Sequence, residues 1–489
     1  MKKIYLFLLI TLIGCQKDPI KFNLTVAASP PEGGLINPTS GVYNEGENVV
    51  INAVANNFYV FKNWSGGWAG SSPTIILTMD SDKQLIANFE KNDLDEDGVV
   101  NQNDLCPNTI SGSVDSNGCA LSQKDTDGDG ITDDLDQCEN TDPNSAIINS
   151  SGCKVDLFYL ADNNYTIKAI EEAQVGMVDT FEGNEYEIVN FPTLKDMIKD
   201  GRDVTFVVTS KMINFRELFW NYPVVGDITR WDTSNIEFMG KMFKGNSFNQ
   251  NIGSWDVSKV INMRNMFANT PFNRDIRNWN VSNVKNMAQM FNNSNFNNVI
   301  RDWDVSNVTT MGSMFSRTPF SQDISNWDVS NLTDMSYMFS DSSFMGDISN
   351  WDVSNVLYMN GTFKGTPFNG DISNWDVSSV IEMAYMFDDT TMFNQDISNW
   401  DVSNVTNMQS MFNGDIRTGN VFWRTPFNQD ISSWDVSSVT NMEYMFMNAE
   451  FNQNLTNWDV SSVTNCRFFN IQSFFQNQNI PLFTNCSVD

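Results

Sequence analysis

The chain is 489 residues long, with 29 Lys and Arg against 60 Asp and Glu, no histidine and a net charge of −31. An acidic surface of that size repels phosphate backbones, so it excludes nucleic acid as a partner, and it disfavours an anionic membrane surface. The length calls for several modules, and the lack of His removes the usual general base of catalysis.

The chain opens with Lys2 and Lys3, an apolar run from Ile4 to Ile13, then Gly14 and Cys15. So short a run reads as a secretory signal over 1–14, not as a membrane span. Leu12-Ile13-Gly14-Cys15 resembles a bacterial lipobox. The resemblance implies cleavage before Cys15, acylation of that residue and a lipidated linker over 15–21 that holds a soluble body to a membrane. Gln16-Lys17-Asp18 is similar to the export signal that sends some Gram-negative lipoproteins to the outer face. The expected location is therefore the cell outer membrane, lipid-anchored and surface-exposed.

Residues 22–90 read as a small all-β domain. Leu24–Ala28, Val49–Ala53 and Ile75–Met79 alternate or run apolar, and Pro30-Pro31, Gly33-Gly34 and Gly66-Gly67 break them. Phe61, Trp64-Ser65-Gly66 and Met79–Lys83, followed by Ala87-Asn88-Phe89, resemble the divergent B-repeat of internalin-type surface proteins. That resemblance implies a spacer or stalk module.

Residues 92–155 carry the strongest chemical motif. Asp93, Asp95, Asp97, Gly98, Asn101 and Asp104 occupy positions one, three, five, six, nine and twelve of a loop. Asp125, Asp127, Asp129, Gly130, Asp133 and Asp136 repeat the pattern 32 residues later. Calcium takes six to eight oxygens, and this alternation folds carboxylates round one ion with Gly at the sharp turn. The carbonyls of Val99 and Ile131, at position seven, supply one oxygen each. Position twelve is Asp rather than Glu, which puts bidentate binding in question. Leu105-Cys106-Pro107 and Leu135-Asp136-Gln137-Cys138 interrupt where EF-hand helices would stand. The segment instead resembles thrombospondin type 3 repeats of bacterial envelope proteins. Besides Cys15 there are six cysteines in three local pairs, which suits an oxidising compartment. Six cysteines allow fifteen connectivities, of which Cys106–Cys119, Cys138–Cys153 and Cys466–Cys486 are favoured.

From Trp231 to Trp458 ten tryptophans recur, 24 residues apart six times running, then 25, 34 and 24. A fixed period of this size means stacked units, none of which buries its apolar face alone. Around Trp327, the pattern Ile324, Trp327, Val329 reads as a short strand. Leu332, Met335, Met338 and Phe339 recur at helical spacing, with Thr333 placed as an N-cap. The expected fold is an α/β solenoid of about ten strand-plus-short-helix units over 221–489, with a C-terminal cap and an N-terminal cap over 156–220. Stacking at the inter-strand distance puts identical side chains roughly 4.8 Å apart. The Met stripe is core filler. Phe393–Met408, F-N-Q-D-I-S-N-W-D-V-S-N-V-T-N-M, resembles the repeat of BspA-like leucine-rich repeat surface proteins. Phe158–Ala161, Tyr165–Lys168, Tyr186–Val189 and Thr193–Asp203 resemble that family's lead-in, and the resemblance implies surface display and adhesion.

Two acidic rows run along the array. Asp232, Asp256, Asp304, Asp328 and their successors each follow the repeat Trp, and Asp323, Asp347 and Asp371 precede the repeat Ile. Stacked carboxylates repel, so each needs a donor, with nearby Ser, Asn or backbone groups expected to supply it. One unit is longer by the insertion Asn413–Arg424, whose Val421-Phe422-Trp423 could anchor a partner or pack on the array. The leading expectation is a surface lipoprotein that binds a protein or glycan through the array, and the rival is an envelope spacer without a specific ligand. An enzyme is not expected, because every carboxylate pair recurs in each repeat whereas a catalytic pocket needs a unique constellation.

Overall fold

The computed structural model describes residues 17–57, 59–109, 113–414, 416–417, 421–422 and 424–488. The signal sequence and Cys15 lie outside the described residues. The chain divides into two compact units, Met1–Val155 and Asp156–Asp489.

The first unit begins with seven strands: β1 (Lys21–Ser29), β2 (Gly34–Asn37), β3 (Gly41–Asn44), β4 (Asn48–Ala55), β5 (Tyr59–Gly66), β6 (Thr74–Thr78) and β7 (Lys83–Lys91). One sheet has the order β3-β1-β7-β5, with β1 and β7 parallel, and the other has the order β2-β4-β6. Alternation decides what is buried. Val49, Ile51 and Ala53 of β4 meet Ile75 and Leu77 of β6 and Leu85, Ala87 and Phe89 of β7 in one core. Trp64 is buried at its centre, and its indole N–H donates to Ser72 O at 3.0 Å. Two of the three strands expected from sequence fall within β1 and β4, and the third falls within β6 except for Met79, which lies just beyond it. The described residues of 92–155 follow as loops and turns with one 3-10 turn at Leu121–Gln123, and carry the disulfides Cys106–Cys119 and Cys138–Cys153.

The second unit opens with two hairpins. Strand β8 (Phe158–Leu160) pairs with β9 (Ile167–Ala169), and β10 (Val178–Phe181) pairs with β11 (Asn184–Ile188). Helix α1 (Phe191–Lys199) follows, and then β12 (Val207–Val208), parallel to β11. The Asn190 side chain caps α1 by accepting from the Thr193 N–H at 3.0 Å. Leu194, Met197 and Ile198 bury its apolar face in the same core as the first repeats, which closes the open end of the stack.

The repeats depart from the expected α/β solenoid. No repeat contains a helix among the described residues, and α1 is the one α-helix they hold. The unit is built instead from bridges and turns. One residue per coil forms an isolated parallel bridge to the next, in the succession Asn262, Asn286, Thr310, Asp334, Tyr358. The N–H groups of Met287, Gln289, Phe291 and Asn293 donate to the carbonyls of Thr310, Gly312, Met314 and Ser316 at 2.8–3.1 Å. Between these bonds the chain turns on itself: Met290 N donates to Met287 O at 3.0 Å and Ser294 N to Phe291 O at 3.0 Å. The third residues of these turns, Gln289 and Asn293, have φ of 59° and 52°. A helix needs φ near −63°, whereas a type II turn needs positive φ at that place. Tyr337, inside the segment expected to be helical, and Asp341, just beyond it, likewise have φ of 56° and 55°. Thr333 is no N-cap; its hydroxyl donates to Thr309 O in the preceding coil at 2.9 Å. The segment read as a strand is also a turn, closed by Trp327 N to Ile324 O at 3.1 Å.

The aromatic columns hold the coils together. Phe291 and Phe296 stack within one coil at 3.8 Å between ring centres, and Phe291 stacks on Phe315 of the next at 5.9 Å. The indoles of Trp327 and Trp351 lie parallel at 6.4 Å. From Trp255 onward each repeat indole N–H donates to the Ile carbonyl of the preceding coil, as Trp279 to Ile252 and Trp327 to Ile300, both at 3.1 Å, while Trp231 donates to Val204 O at 3.2 Å. The Trp–Ile bond gives a second donor to a carbonyl that already closes its own turn, since Ile300 O also accepts from Trp303 N at 3.2 Å, and Phe could not make it. At the C-terminal end the parallel stacking stops, because Phe469 and Phe475 meet Phe446 edge-on. The disulfide Cys466–Cys486 fastens the last segment there.

Candidate metal centre

Residues 92–155 bring the predicted acids together. One carboxylate oxygen from each of Asp93, Asp95 and Asp97 lies within 4.8 Å of the others, and Asp125, Asp127 and Asp129 form the matching group. In the first loop the two oxygens of each side chain have different surroundings. Asp93 Oδ2 accepts from Gly98 N at 2.9 Å and Asp97 Oδ1 from Val99 N at 2.8 Å. Asp95 Oδ2 accepts from Thr109 N and Asp104 Oδ1 from Cys106 N, both at 2.7 Å. The other oxygens, Asp93 Oδ1, Asp95 Oδ1, Asp97 Oδ2 and Asp104 Oδ2, are buried and meet no donor. Four desolvated carboxylate oxygens without hydrogen bonds are costly unless a cation meets them. Among the described residues no backbone N–H donates to the carbonyl of Val99 or Ile131. This donor set fits calcium: hard oxygens, monodentate because the backbone holds each second oxygen. Position twelve follows suit, since Asp104 has only Oδ2 free, as an Asp there leads one to expect.

The second loop repeats the backbone clamps. Gly130 N reaches Asp125 Oδ2 at 2.9 Å, Ile131 N reaches Asp129 Oδ1 at 2.8 Å and Cys138 N reaches Asp136 Oδ1 at 2.7 Å. Here only Asp129 Oδ2 is buried without a donor, because Asp125 Oδ1 also accepts from Gly128 N at 2.7 Å. Gly98 and Gly130, at position six, have φ of 95° and 94°, the left-handed turn expected of Gly. Asn101 and Asp133, at position nine, face their own loops: Asn101 Oδ1 accepts from Leu94 N and Asp133 Oδ1 from Thr126 N. The Thr126 hydroxyl beside it holds the Asp133 carboxyl below the usual carboxylate range.

Four residues complete the centre without having drawn notice in the sequence. Thr109 and Thr141 donate their amides to Asp95 and Asp127 and their hydroxyls to Gly118 O and Gly152 O, at 2.7 and 2.5 Å. Gly118 and Gly152 have φ of 79° and 76°, and a Cβ on either would collide with Oδ1 of Asp104 or Asp136. Each disulfide ties the cysteine two residues after the position-twelve Asp to the cysteine just after this Gly. The signal was present: each Thr stands three residues after the first Cys of its pair, at Cys106-Pro-Asn-Thr109 and Cys138-Glu-Asn-Thr141.

The acids of the repeat rows find donors within their own coils. Asp328 Oδ1 accepts from the Ser330 hydroxyl at 2.6 Å and its N–H at 3.0 Å, and Asp376 does the same with Ser378. These hydroxyls hold both carboxyls below the usual range. Asp323 and Asp371 accept first from the N–H groups of Ser325 and Ser373, with the same effect. Adjacent coils are joined outside the core by Asn side chains, as where Asn307 Nδ2 donates to Ser282 O at 2.8 Å. In the insertion, β13 (Ile416–Arg417) pairs with β14 (Val421–Phe422). The expected Val421-Phe422-Trp423 anchor lies outside what is described: no side-chain environment is assigned to Val421 or Phe422, and Trp423 is not among the described residues.

Comparison with known proteins finds two families. Residues 24–93 match the divergent InlB B-repeat domain, over β1–β7. No curated protein and no solved structure matches the chain. The second family matches in four overlapping stretches, 193–295, 268–367, 342–418 and 415–488, which begin at α1 and run through the stack. These stretches span more than half of the 489 residues, so the chain belongs to the family described as Mycoplasma protein of unknown function, DUF285.

Proposed function

We propose that this repeat protein is a lipid-anchored bacterial surface protein that binds a protein or glycan through its stacked coils. One observation carries the reading: a dry aromatic interior supports the same polar outer rows in coil after coil, so the array offers a repeated polar surface. The acids of those rows hydrogen-bond their own serines, which favours recognition over catalysis. The B-repeat match and the acylation implied at Cys15 support display at the outer membrane. Protease treatment of intact cells should remove the array; survival until the outer membrane is broken would refute surface display. The purified full chain should be retained on some cell, matrix protein or glycan surface, and a blank result across a broad panel would refute binding.

Calcium belongs to the same proposal. Asp93, Asp95, Asp97 and Asp104 with the Val99 carbonyl would hold one ion, and Asp125, Asp127, Asp129 and Asp136 with the Ile131 carbonyl the other. The ion supplies positive charge to carboxylates that otherwise repel, and so stiffens residues 92–155. Calorimetry on the full chain should find calcium binding, and its absence would refute the assignment.

A further inference from the structure

Among the first coils, Gly240 leaves a gap in the run of side chains on the bridged face. The residue two places after each bridged residue shares its face of the extended chain. In the first coils these residues are Arg216, Gly240, Arg264 and Ala288, following Asn214, Phe238, Asn262 and Asn286. Glu217 N donates to Gly240 O at 2.9 Å and Lys241 N to Arg264 O at 2.8 Å, so these coils are direct neighbours in register. Arg216 and Arg264 therefore stand two coils apart, roughly 10 Å by the inter-strand spacing, and the coil between them has no side chain. The result is a cleft of about 340 Å³, lined by Arg216, Lys241 and Arg264, by Phe238, and by the amides of Asn262 and Asn286.

No carboxylate lines this cleft, although the chain carries a net charge of −31. Among the described residues nothing pairs with the Arg264 guanidinium, while Arg216 only skirts Glu217 at 3.6 Å and Lys241 bonds Glu217 at 3.0 Å. The Oδ1 atoms of Asn262 and Asn286 accept from the N–H groups of Arg264 and Ala288. Their Nδ2 groups make no protein hydrogen bond among the described residues and remain available as donors. Phe238 is half-buried and contributes the apolar lining between the two arginines.

We propose that this slot binds a sugar ring bearing one carboxylate, of the uronic or sialic acid kind. A guanidinium matches a carboxylate in a planar, two-bond fork, the free amides suit hydroxyls, and a phenyl face suits the apolar face of a pyranose. The acidic bulk of the molecule repels a long polyanion, so the ligand presents one acid at a time. This deepens the display reading above and rests on it, by naming the ligand class and its place on the array.

The test uses the full chain in calcium, with methyl glucuronide and 3′-sialyllactose as probes and lactose as the neutral control, read by saturation-transfer NMR and calorimetry. Both acidic probes should bind and lactose should not. The double variant Arg216→Gln/Arg264→Gln should weaken binding at least about tenfold, as expected for loss of charge-assisted bonds. Gly240→Leu should weaken it as much without changing any charge. Gly240 is outside the left-handed region and an added Cβ meets nothing nearer than 3.4 Å, so this variant should keep the fold. Arg301→Gln/Arg317→Gln, further along the stack, should bind as the parent does. Failure of both probes to bind, or unchanged binding in the Arg216/Arg264 and Gly240 variants, overturns the site. If the chain is nevertheless still retained on cells or matrix, the display reading stands without it. Heparin binding as tightly as methyl glucuronide, and lost in the arginine variant, overturns the single-acid class.

Discussion

Replacing Trp327 by Phe tests the bond that distinguishes this stack from an ordinary aromatic core. The Trp327 indole N–H donates to Ile300 O at 3.1 Å, and Trp327 and Ile300 are 4 % and 0 % exposed. Phenylalanine keeps a ring in the column but removes this bond, leaving Ile300 O with only the Trp303 N–H at 3.2 Å, which costs about 0.5–1.5 kcal/mol. The smaller ring gives up about 1 kcal/mol of burial and leaves a void beside Phe315 and Trp351, for about 2–3 kcal/mol in all. Where coils contact only their neighbours, such a defect stays local. Native-state hydrogen exchange read by mass spectrometry on the full chain resolves it. Protection should fall in peptides spanning residues 300–351 and persist on both sides, so that one protected block becomes two. Unchanged protection at 300–351, or an even loss from end to end, would refute the role given to the indole bond and the locality of the stack.

Chelating calcium should raise protease cleavage within residues 92–155 and leave the array intact; cleavage indifferent to chelator would remove the metal from the account. Gly118→Ala should weaken calcium binding by forcing a Cβ against Asp104 in a left-handed backbone, and Gly152→Ala should do the same at Asp136; calorimetry at parent affinity would contradict the cradle. Acid should spare the array through the ordinary carboxylate range. The folded-state pKa values of Asp328 and Asp376 lie below 3.8, so their contribution is present above 3.8 and is lost as pH falls through the lowered values. Tryptophan fluorescence followed during acid titration checks this, and loss of the array well above that pH would count against the serine bonds.

The period was legible because indoles seldom recur at a fixed distance by chance, and the buried set followed from it. The local backbone was misread for a physical reason. Leu332, Met335, Met338 and Phe339 lie three and four apart, which a helix and a pair of tight turns satisfy equally well. The deciding residues were the ones between. At the second turn position the coils place Asn269, Asn293, Arg317, Asp341, Gly365 and Asp389, all at positive φ. Asn, Asp and Gly are the residues that tolerate that region, and in a helix such a column would be unfavourable. The first turn position was harder to read, since Gln289, Ser313 and Tyr337 hide the same conformation that Gly361 betrays. In the acidic segment the ligand spacing was plain, but the division of labour within each carboxylate was not. Which oxygen the backbone takes depends on where Thr109 and Cys106 return, and the disulfide fixes that. The Arg216–Gly240–Arg264 slot needed the register between coils, which the bridged row supplies.

The insertion shows what the stack will accept. Trp400 and Trp434 are 34 residues apart in the chain, yet their rings lie parallel at 6.4 Å, as closely as rings separated by the usual 24. The next coil resumes in step despite the ten extra residues. Such a molecule can be lengthened, shortened or given a grafted peptide at that point without redesign of its interior. The number of coils and what one of them carries can then vary while every ring keeps its neighbours.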